Sequence, residues 1–309
     1  MTAPQEYFVD TEMEGSRLDS FLVRAVPGLS RKKAALLLDK GDVLVNGRPG
    51  VKSDILCAGW RVTVLNPVPE AHASPDPDVK FDLIYEDREI VIVAKPAGMH
   101  TVPHSIGEKG TLAQGLLARY PEMADVGASP MEPGVCHRLD YWTSGLVVAA
   151  RDRETFRKIR EAFAAHKIRK TYLAIATGHP PDAFSVDAQI GHPSRRSGRV
   201  IVGEKRGRSA VAAKTAFRTQ KYFEEVALVG AECSTGAMHQ VRAHIAHAGF
   251  PIVGDELYGG PPTPAGRFYL HAYSIEIEGQ SFRQEPVKAT CPPPDDFLEG
   301  ASVRLIEKK

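Results

Sequence analysis

The chain has 309 residues, of which 43% are hydrophobic, and a formal net charge of +1 at pH 7. This length and composition suffice for a sizeable core and more than one domain, and the lack of a run of about 18 apolar residues excludes a membrane-spanning helix. Residues 1–6 lack the pattern of a signal peptide, and four widely spaced cysteines argue against a zinc ribbon or a disulfide framework, so we expect a cytoplasmic protein.

The first part of the chain is basic. Residues 15–66 contain nine Lys or Arg against four Asp, and Ser30 is predicted to cap a helix that begins with Arg31, Lys32 and Lys33. Three cations in a first turn oppose the helix dipole unless an anion such as a phosphate docks there. We therefore interpret this part as a module that binds RNA or DNA, with a solvated charged face as the alternative.

Short strands are predicted at 43–45 and 60–64, with Asn46-Gly47 as a tight hairpin turn. Four prolines among the thirteen residues from 66 to 78 favour a semi-rigid, extended linker. The predicted organisation is a domain at 1–66 with its core at about 16–65, a linker at 67–78, a second domain at 79–298 and a tail at 299–309.

The second domain is predicted to be rich in strands. The pattern predicts strands at 81–87, 90–95, 146–149 and 170–176 and helices at 111–120 and 152–167. Between residues 191 and 218, eight Lys or Arg accompany a single acid, Glu204. This segment is therefore a second candidate RNA contact, with a solvated hairpin as the alternative.

Asp140 is the candidate catalytic residue. It lies between a His-Arg pair and Thr143-Ser144-Gly145, ahead of an apolar run that is typical of a buried strand. Asp is disfavoured in strand interiors, whereas Ser and Gly are typical of loops, so we predict Asp140 on a loop that enters a strand. Taken alone, such an Asp is more simply a turn residue than a nucleophile.

A cluster of histidines follows later in the chain. His239, His244 and His247 lie on a predicted helix that also carries Gln240 and Arg242. The spacing of His244 and His247 would suit a metal ion, but no Cys or acidic third ligand is suitably placed, so we predict no metal site. The simpler interpretation is a basic helix start that approaches an RNA phosphate or a carboxylate.

Six motifs follow one another through the second domain. They are Lys95-Pro96-Ala97-Gly98, then His137-Arg138-Leu139-Asp140 with Thr143-Ser144-Gly145, Lys170-Thr171-Tyr172, Thr235-Gly236 with His239-Gln240-x-Arg242-x-His244, Pro251-Ile252-x-Gly254-Asp255, and Leu270-His271-Ala272. In order and spacing they resemble the RluA-type family of pseudouridine synthases across residues 79–298. Residues 16–65 resemble the small RNA-binding domain first seen in ribosomal protein S-four, through Arg17-Leu18-Asp19, Leu29-Ser30-Arg31 and residues 41–47.

The resemblance implies an α+β fold, with a mixed or antiparallel sheet and flanking helices in the catalytic domain and a small α/β RNA-binding domain before it. It implies an enzyme that isomerises uridine in structured RNA without a cofactor, acting on a nucleotide turned out of its stack. By resemblance, Asp140 is the catalytic residue, which attacks as a nucleophile or assists loss of the base. Arg242 pairs with it, and Tyr172 stacks on the base and takes part in proton transfer at carbon 5. The remaining residues expected to contact RNA are Arg138, His137, His239, Gln240, Arg31, Lys32 and Lys33.

The fused RNA-binding domain makes large-subunit ribosomal RNA the expected substrate, and we expect a monomer. The alternatives are a synthase that acts on transfer RNA or has dual specificity, and a non-catalytic RNA-binding or ribosome-assembly factor. A glycosidase shares the glycosidic chemistry but needs a second carboxylate, and none lies near Asp140 in the sequence.

Two positions depart from the family pattern. Ala237 and Met238 precede His239 where the family usually has an arginine, which puts RNA affinity in doubt more than chemistry. Tyr141 and Trp142 stand where the family commonly carries a charged pair. These two aromatic residues could pack against the sheet or stack on RNA, and we favour packing.

Overall fold

The structure is a computed structural model that describes residues 3–26, 29, 31–66, 72–105, 107–192, 198–203, 210–279 and 285–299. The chain divides into two compact units, Met1–His72 and Ala73–Lys309. Part of the predicted linker packs on the second unit, because the Ala73 amide donates to the Pro130 carbonyl and the Asp76 amide to that of Gln114. Residues 67–71 of that linker lie outside the described residues, and the predicted domain limits stay a prediction.

The first unit is a small α/β structure. In the described residues its elements are β1 (Gln5–Phe8), α1 (Leu18–Ala25), α2 (Arg31–Asp39), β2 (Val43–Val45), β3 (Arg48–Pro49) and β4 (Arg61–Val64), with the sheet in the order β1-β4-β2-β3. Asn46 and Gly47 have φ angles of 50° and 84°, as a tight turn between β2 and β3 requires. The predicted hairpin turn is therefore confirmed.

The second unit is built on one large mixed sheet. Its strands in the described residues are β5 (Asp82–Glu86), β6 (Ile90–Lys95), β7 (Ser144–Ala150), β8 (Ile168–Thr177), β9 (Ala183–Asp187), β10 (Ile190–Gly191), β11 (Ile201–Val202), β12 (Lys214–Tyr222), β13 (Val226–Cys233), β14 (Leu270–Ile277) and β15 (Val287–Thr290). The described part of the sheet has nine strands, in the order β5-β6-β7-β14-β8-β13-β12-β9 with β15 on β14, while β10 and β11 form a separate pair. The β7–β14 pairing is parallel and β14 pairs antiparallel with β8, so the sheet is mixed and the expected α+β class is confirmed.

Helices cover both faces of the middle of this sheet. They are α3 (Leu112–Arg119), α4 (Arg153–Ala164) and α5 (Gln240–His247). Residues alternate between the faces of a strand, so Ile92 and Val148 pack with α4 and Val93 and Val147 with α3. Because β7 is buried on both faces, it has the continuous apolar sequence from which a buried strand was predicted.

Local signals explain where the helices begin. The Asp152 carboxylate caps α4 by accepting a hydrogen bond from the Thr155 amide, and Thr111 and Gln114 form a capping box at α3. At α5 the residue before the helix, His239, has a left-handed backbone with φ 53°. That turn directs the chain from the end of β13 onto α5, which packs through Val241 and Ile245. No helix in the described residues has the length and apolarity needed to cross a membrane.

Candidate active site

Asp140 lies on the loop that enters β7, as predicted, and the backbone on both sides of it is anchored. The Thr101 hydroxyl donates to the Leu139 carbonyl and accepts from the Leu139 amide. On the other side the Tyr141 carbonyl accepts hydrogen bonds from the Gly98 amide and from Lys95 Nζ. The carboxylate is therefore held in place, with 29% of the side chain exposed to a ligand.

Arg242 binds the Asp140 carboxylate from α5. Its Nη1 donates to Asp140 Oδ2 at 2.8 Å, while Nε and Nη2 donate to the two oxygens of Asp255 at 2.7 and 2.8 Å. Its guanidinium also lies over the ring of Phe268, 4.2 Å from the centroid, and 5.2 Å from that of Tyr258. Two carboxylates and two rings thus fix one cation, and Asp140 receives a directed hydrogen bond from it.

The charges compensate one another inside the protein. Arg242 is 6% exposed and Asp255 is 2% exposed. Burial alone would lower the pKa of Arg242, but the hydrogen bonds and charge of Asp255, together with Asp140, outweigh burial and raise the pKa above its ordinary value. The guanidinium therefore remains a cation beside Asp140.

His239 faces the other oxygen of Asp140. Its Nε2 lies 3.7 Å from Asp140 Oδ1, and its Nδ1 shares a hydrogen bond of 2.9 Å with the Tyr258 hydroxyl. Because the Val200 amide donates to the same hydroxyl oxygen, the hydroxyl proton is available for Nδ1, which leaves the imidazole proton on Nε2 towards Asp140. Burial lowers the pKa of His239 despite the opposing charge of Asp140, so the ring is neutral at pH 7.

Tyr172 reaches the same cleft from β8, the strand that pairs with both β13 and β14. Its ring is half-buried and packs against two of the apolar clusters of the sheet. Burial, followed by the charges near Cys233 and Asp140, raises the pKa of Tyr172 well above its ordinary value. The phenol therefore stays protonated at neutral pH, which favours stacking over service as a base.

Lys95 is a buried residue that binds the loop of Asp140 through hydrogen bonds. It is 1% exposed, and its Nζ donates to the carbonyls of Pro96, Met99 and Tyr141. Burial lowers the pKa of Lys95 to about 7, with the charge of Asp140 acting in the opposite direction. Lys95 is thus a positioning residue for the backbone next to Asp140.

The structure brings the predicted catalytic residues into one cleft, together with some of the predicted RNA contacts. The cleft is lined by Arg138, Leu139, Asp140, Thr143, Lys170, Tyr172, Cys233, Thr235, Gly236, Ala237, His239, Gln240, Val241, Arg242 and Leu270. Arg138 is well exposed at this cleft, with 63% of its side chain accessible and an ion pair to Glu132 at 3.4 Å. An exposed pair of that length is weak, so Arg138 can exchange Glu132 for a phosphate.

Two of the predicted RNA contacts, His137 and Gln240, have protein partners in the structure, and their contacts with RNA stay a prediction. The His137 ring packs against Phe163, and its Nε2 accepts the Val148 amide of β7. Burial, with the charges of Lys170 and Arg160, lowers the pKa of His137 to about 3. It is therefore a neutral acceptor inside the sheet and does not line the cleft in the described residues.

Gln240 is 5% exposed although it lines the cleft. Its Oε1 accepts hydrogen bonds from the Ala237 amide and the Thr235 hydroxyl, and its Nε2 donates to the Lys214 carbonyl. These bonds hold the loop between β13 and α5 and leave the side-chain amide satisfied by protein. An RNA contact by Gln240 stays a prediction without support from this geometry.

His244 on α5 makes hydrogen bonds to the protein through both ring nitrogens. His244 Nδ1 shares a hydrogen bond with the Thr215 hydroxyl and Nε2 one with the Ala188 carbonyl. Among the described residues, no group of three or more His, Cys, Asp or Glu side chains is placed to hold a metal ion.

The predicted RNA contacts of the first unit lie at the start of α2. Arg31 is exposed and Lys33 is half-buried, while the side chain of Lys32 and the predicted cap Ser30 lie outside the described residues. The RNA contacts assigned to this helix start remain a prediction. In the second basic segment, Arg199, Lys214 and Arg218 are exposed. Its other cations, at positions 195, 196, 205, 206 and 208, lie outside the described residues.

Sequence reasoning missed Asp255 and Tyr258 as parts of the site. Asp255 stood in a recognised motif without a role, and its signal was an acid after glycine in an otherwise apolar stretch. Tyr258 had no signal of its own. Their partners are Arg242 and His239, which reach them only once the turn after α5 has folded back.

Comparisons with known proteins agree with the motifs. Residues 89–247 match the family model described as RNA pseudouridylate synthase, and residues 16–53 match the S4 domain. A Neisseria meningitidis protein named ribosomal large subunit pseudouridine synthase D is 30% identical over 312 residues, which cover 97% of this chain and 81% of the relative. A Chloroflexus aurantiacus protein named uncharacterized RNA pseudouridine synthase is 39% identical over 279 residues, covering 89% of this chain and 86% of the relative.

A solved structure supports the same fold. The human protein RNA Pseudouridylate Synthase Domain Containing 4 matches with a TM-score of 0.57 at 23% identity, over 71% of this chain and 91% of that one. At this identity the match concerns the fold alone. The resemblance drawn from the six motifs and the expected fold are both confirmed.

Proposed function

The chain belongs to the family of RNA pseudouridylate synthases, which isomerise uridine in RNA to pseudouridine, and on this basis we propose that it modifies large-subunit ribosomal RNA with Asp140 as its nucleophile. The observation that carries the assignment of Asp140 is its hydrogen bond to Arg242 at 2.8 Å across 102 residues of sequence. A turn residue would not need a buried, doubly anchored cation directed at its carboxylate.

The two oxygens of Asp140 differ in a way that suits a nucleophile. Oδ2 accepts the Arg242 hydrogen bond, whereas Oδ1 has His239 Nε2 at 3.7 Å, beyond hydrogen-bond distance. Among the described residues Oδ1 accepts no side-chain hydrogen bond, so its lone pairs remain available for attack. Arg242 orients the carboxylate through this hydrogen bond and places a positive charge beside it, as a carboxylate nucleophile requires.

The other residues of the cleft complete the proposed reaction. In the isomerisation the bond from the sugar to N1 of the base breaks, the detached base turns, and its carbon 5 forms a bond to the same sugar carbon. Carbon 5 loses its proton and N1 gains one, so the product is an isomer of the substrate. A uridine inside folded RNA must first leave its stack, and the neutral ring of Tyr172 then offers it a stacking surface beside Asp140. Arg138 supplies an exposed cation at the same cleft for the distorted backbone.

The name of the Neisseria relative supports large-subunit ribosomal RNA as the substrate. The S4-domain match and the basic character of residues 15–66 support a structured RNA. We further propose that the protein acts as a cytoplasmic monomer.

The test is to map pseudouridine in total RNA from cells with and without the gene, and to restore the gene as wild type or as Asp140→Asn. We expect specific uridines of large-subunit ribosomal RNA to lose the modification and to regain it only with the wild type. The purified Asp140→Asn protein should lose more than about a thousandfold in rate while binding RNA normally, because Asn keeps the shape but lacks the ionised oxygen. Wild-type rates in that variant would contradict the nucleophile, and changes confined to transfer RNA would contradict the substrate.

A further inference from the structure

An aromatic platform adjoins the loop that carries Asp140. It is the ring of Tyr141, the next residue in the chain, with His100 and His104 packed edge-on beside it. The ring centroids of Tyr141 and His100 are 4.7 Å apart at an interplanar angle of 62°, and those of His100 and His104 are 4.4 Å apart at 61°. Tyr141 follows Asp140 in the chain and remains 40% exposed. Single exposed aromatic residues are common on protein surfaces, so the platform is significant only because of its position and its rigidity.

Tyr141 is fixed both at its backbone and at its ring. The backbone carbonyl accepts hydrogen bonds from the Gly98 amide at 2.9 Å and from Lys95 Nζ at 3.3 Å. The Trp142 ring contacts the Tyr141 ring edge-on at 4.7 Å, and Trp142 itself packs against an apolar cluster of the sheet. Gly98 is needed for this packing, since a Cβ at that position would lie 3.0 Å from the Trp142 ring. The two aromatic neighbours therefore differ in their surroundings. Trp142 packs against the sheet, as favoured from the sequence, whereas the Tyr141 side chain is exposed.

The two histidines are held by one carboxylate. His100 Nδ1 bonds to Glu108 Oε1, and Glu108 Oε2 accepts the amides of His104 and Ser105. The platform therefore joins two separate chain segments, at residues 100–108 and at Tyr141. Because both are fixed, little conformational entropy is lost when a flat ligand settles on the platform.

We propose that the aromatic platform stacks on an unpaired base that neighbours the target uridine in the RNA, with Tyr141 as the main contact. This inference rests on the proposed function, because the target must reach Asp140 and its neighbours in the strand must then pass the residues next to Asp140. When a nucleotide leaves its stack, the adjacent base loses a stacking partner. An exposed aromatic ring at that point replaces the partner, and it does so for any base because every base has a π face.

The test compares three variants of the full-length chain: Tyr141→Ala, Tyr141→Phe and, as a matched control, Tyr222→Ala. Tyr222 is 44% exposed and lies at the end of β12 where β13 begins, whereas Tyr172 pairs near the other end of β13. The probe is total RNA from cells that lack the gene, which contains the unmodified target whatever its class. Three readouts are taken for each variant: RNA affinity by filter binding, pseudouridine formation against RNA concentration, and nucleotide adducts on tyrosine after ultraviolet irradiation, located by mass spectrometry.

Tyr141→Ala should weaken RNA affinity and raise the RNA concentration for half-maximal rate by about tenfold, as expected for the loss of one base–aromatic stack. Tyr141→Phe should stay within about twofold of the wild type because the ring is kept, and Tyr222→Ala should be unchanged. Nucleotide adducts should form on Tyr141 and not on Tyr222. Wild-type affinity in Tyr141→Ala, or an equal loss in Tyr141→Phe, would overturn the proposal.

The same experiment separates this inference from the proposed function. If the wild type modifies an RNA other than ribosomal RNA, the substrate proposal fails while the comparison of the variants still decides the role of Tyr141. If the wild type forms no pseudouridine, affinity and adducts decide it. A melting temperature within about 3 °C of the wild type for Tyr141→Ala shows that its effect is not a loss of fold.

Discussion

Arg242 is the side chain that fixes the orientation of the Asp140 carboxylate. Its guanidinium donates from Nε and Nη2 to Asp255 and from Nη1 to Asp140. The buried Asp255 carboxylate therefore orients the guanidinium that binds the partly exposed Asp140 carboxylate. Removing one partner of a buried pair leaves the other charge uncompensated, which is much more costly than losing an exposed pair. Asp255 is therefore as important to the geometry at Asp140 as Arg242 itself.

Replacing Asp255 with Asn should lower kcat by about 10- to 100-fold with KM within about threefold, by analogy with residues that orient catalytic ligands. The free energy of unfolding should fall by about 3 kcal/mol, because the Arg242 charge loses its buried counter-charge. Steady-state kinetics and urea denaturation measure the two effects.

Asp296→Asn is the matched control for that experiment. Asp296 also pairs with an arginine, Arg267, at 2.8 Å, but its side chain is 51% exposed. Its loss should change the free energy of unfolding by less than about 1 kcal/mol and leave kcat unaltered. Equal effects of the two substitutions would show that Asp255 does not position Arg242.

At the scale of elements, the loop before β7 is joined to the sheet by His137 and by the main chain around Asp140. His137 Nε2 accepts the Val148 amide, which ties the start of the loop to the strand that follows it. The bond requires a neutral imidazole, because a protonated ring has no acceptor nitrogen. The loop that carries Asp140 should therefore be sensitive to acid.

The pKa of His137 is about 3 in the folded protein, against an ordinary value of 6.5. Between these values the unfolded chain binds more protons than the folded one, so stability rises with pH and is lost as pH falls from about 6.5 towards 3. At pH 5 the loss due to His137 should be about 1–2 kcal/mol, since the ring is partly exposed.

His137→Gln removes this titration and keeps an acceptor for the Val148 amide. The free energy of unfolding of the variant minus that of the wild type should rise by about 1–2 kcal/mol when the pH is lowered from 7.5 to 5. Denaturant titrations at the two pH values measure the gain. If the difference in free energy of unfolding between variant and wild type is the same at both pH values, the lowered pKa of His137 is contradicted.

At the scale of the whole molecule, positive charge is concentrated in residues 15–66 and again in residues 191–218, while the chain as a whole has a net charge of only +1. Charge of this kind contributes to RNA affinity through phosphate contacts, which weaken steeply with salt. In contrast, the chemistry that we propose at Asp140 depends on short, buried contacts, which salt screens much less. Binding by the first unit and catalysis by the second should therefore respond differently to ionic strength.

The double substitution Arg31→Ala with Lys33→Ala should weaken RNA affinity by about tenfold at moderate salt and reduce the slope of log affinity against log salt by about 2, about 1 per cation. The rate at saturating RNA should be unchanged. Arg157→Ala with Lys158→Ala is the control, because it removes the same number of positive charges from α4 of the second unit. Equal salt slopes in the wild type and the first variant would exclude the start of α2 as a phosphate-binding site.

Much of the local structure could be predicted from the sequence. The apolar run of β7, the Asn46-Gly47 turn and the helix behind Asp152 each depend on neighbours in the chain, whose conformational preferences are local. The observed helix Arg153–Ala164 and strand Ile168–Thr177 lie close to their predicted bounds. The loop position of Asp140 followed in the same way from residues within a few positions of it.

The tertiary structure alone decided which side chains meet. Strand β14 lies between β7 and β8 although it is later in the chain than both, and no local preference encodes that order. The order brings Arg242 and Tyr172 to Asp140, buries Asp255 behind the cation and turns His137 into the sheet. The resemblance of the motifs to a known family predicted the roles of Asp140 and Arg242. Burial and orientation, which separate Trp142 from Tyr141 and His137 from Arg138, exist only after distant segments pack.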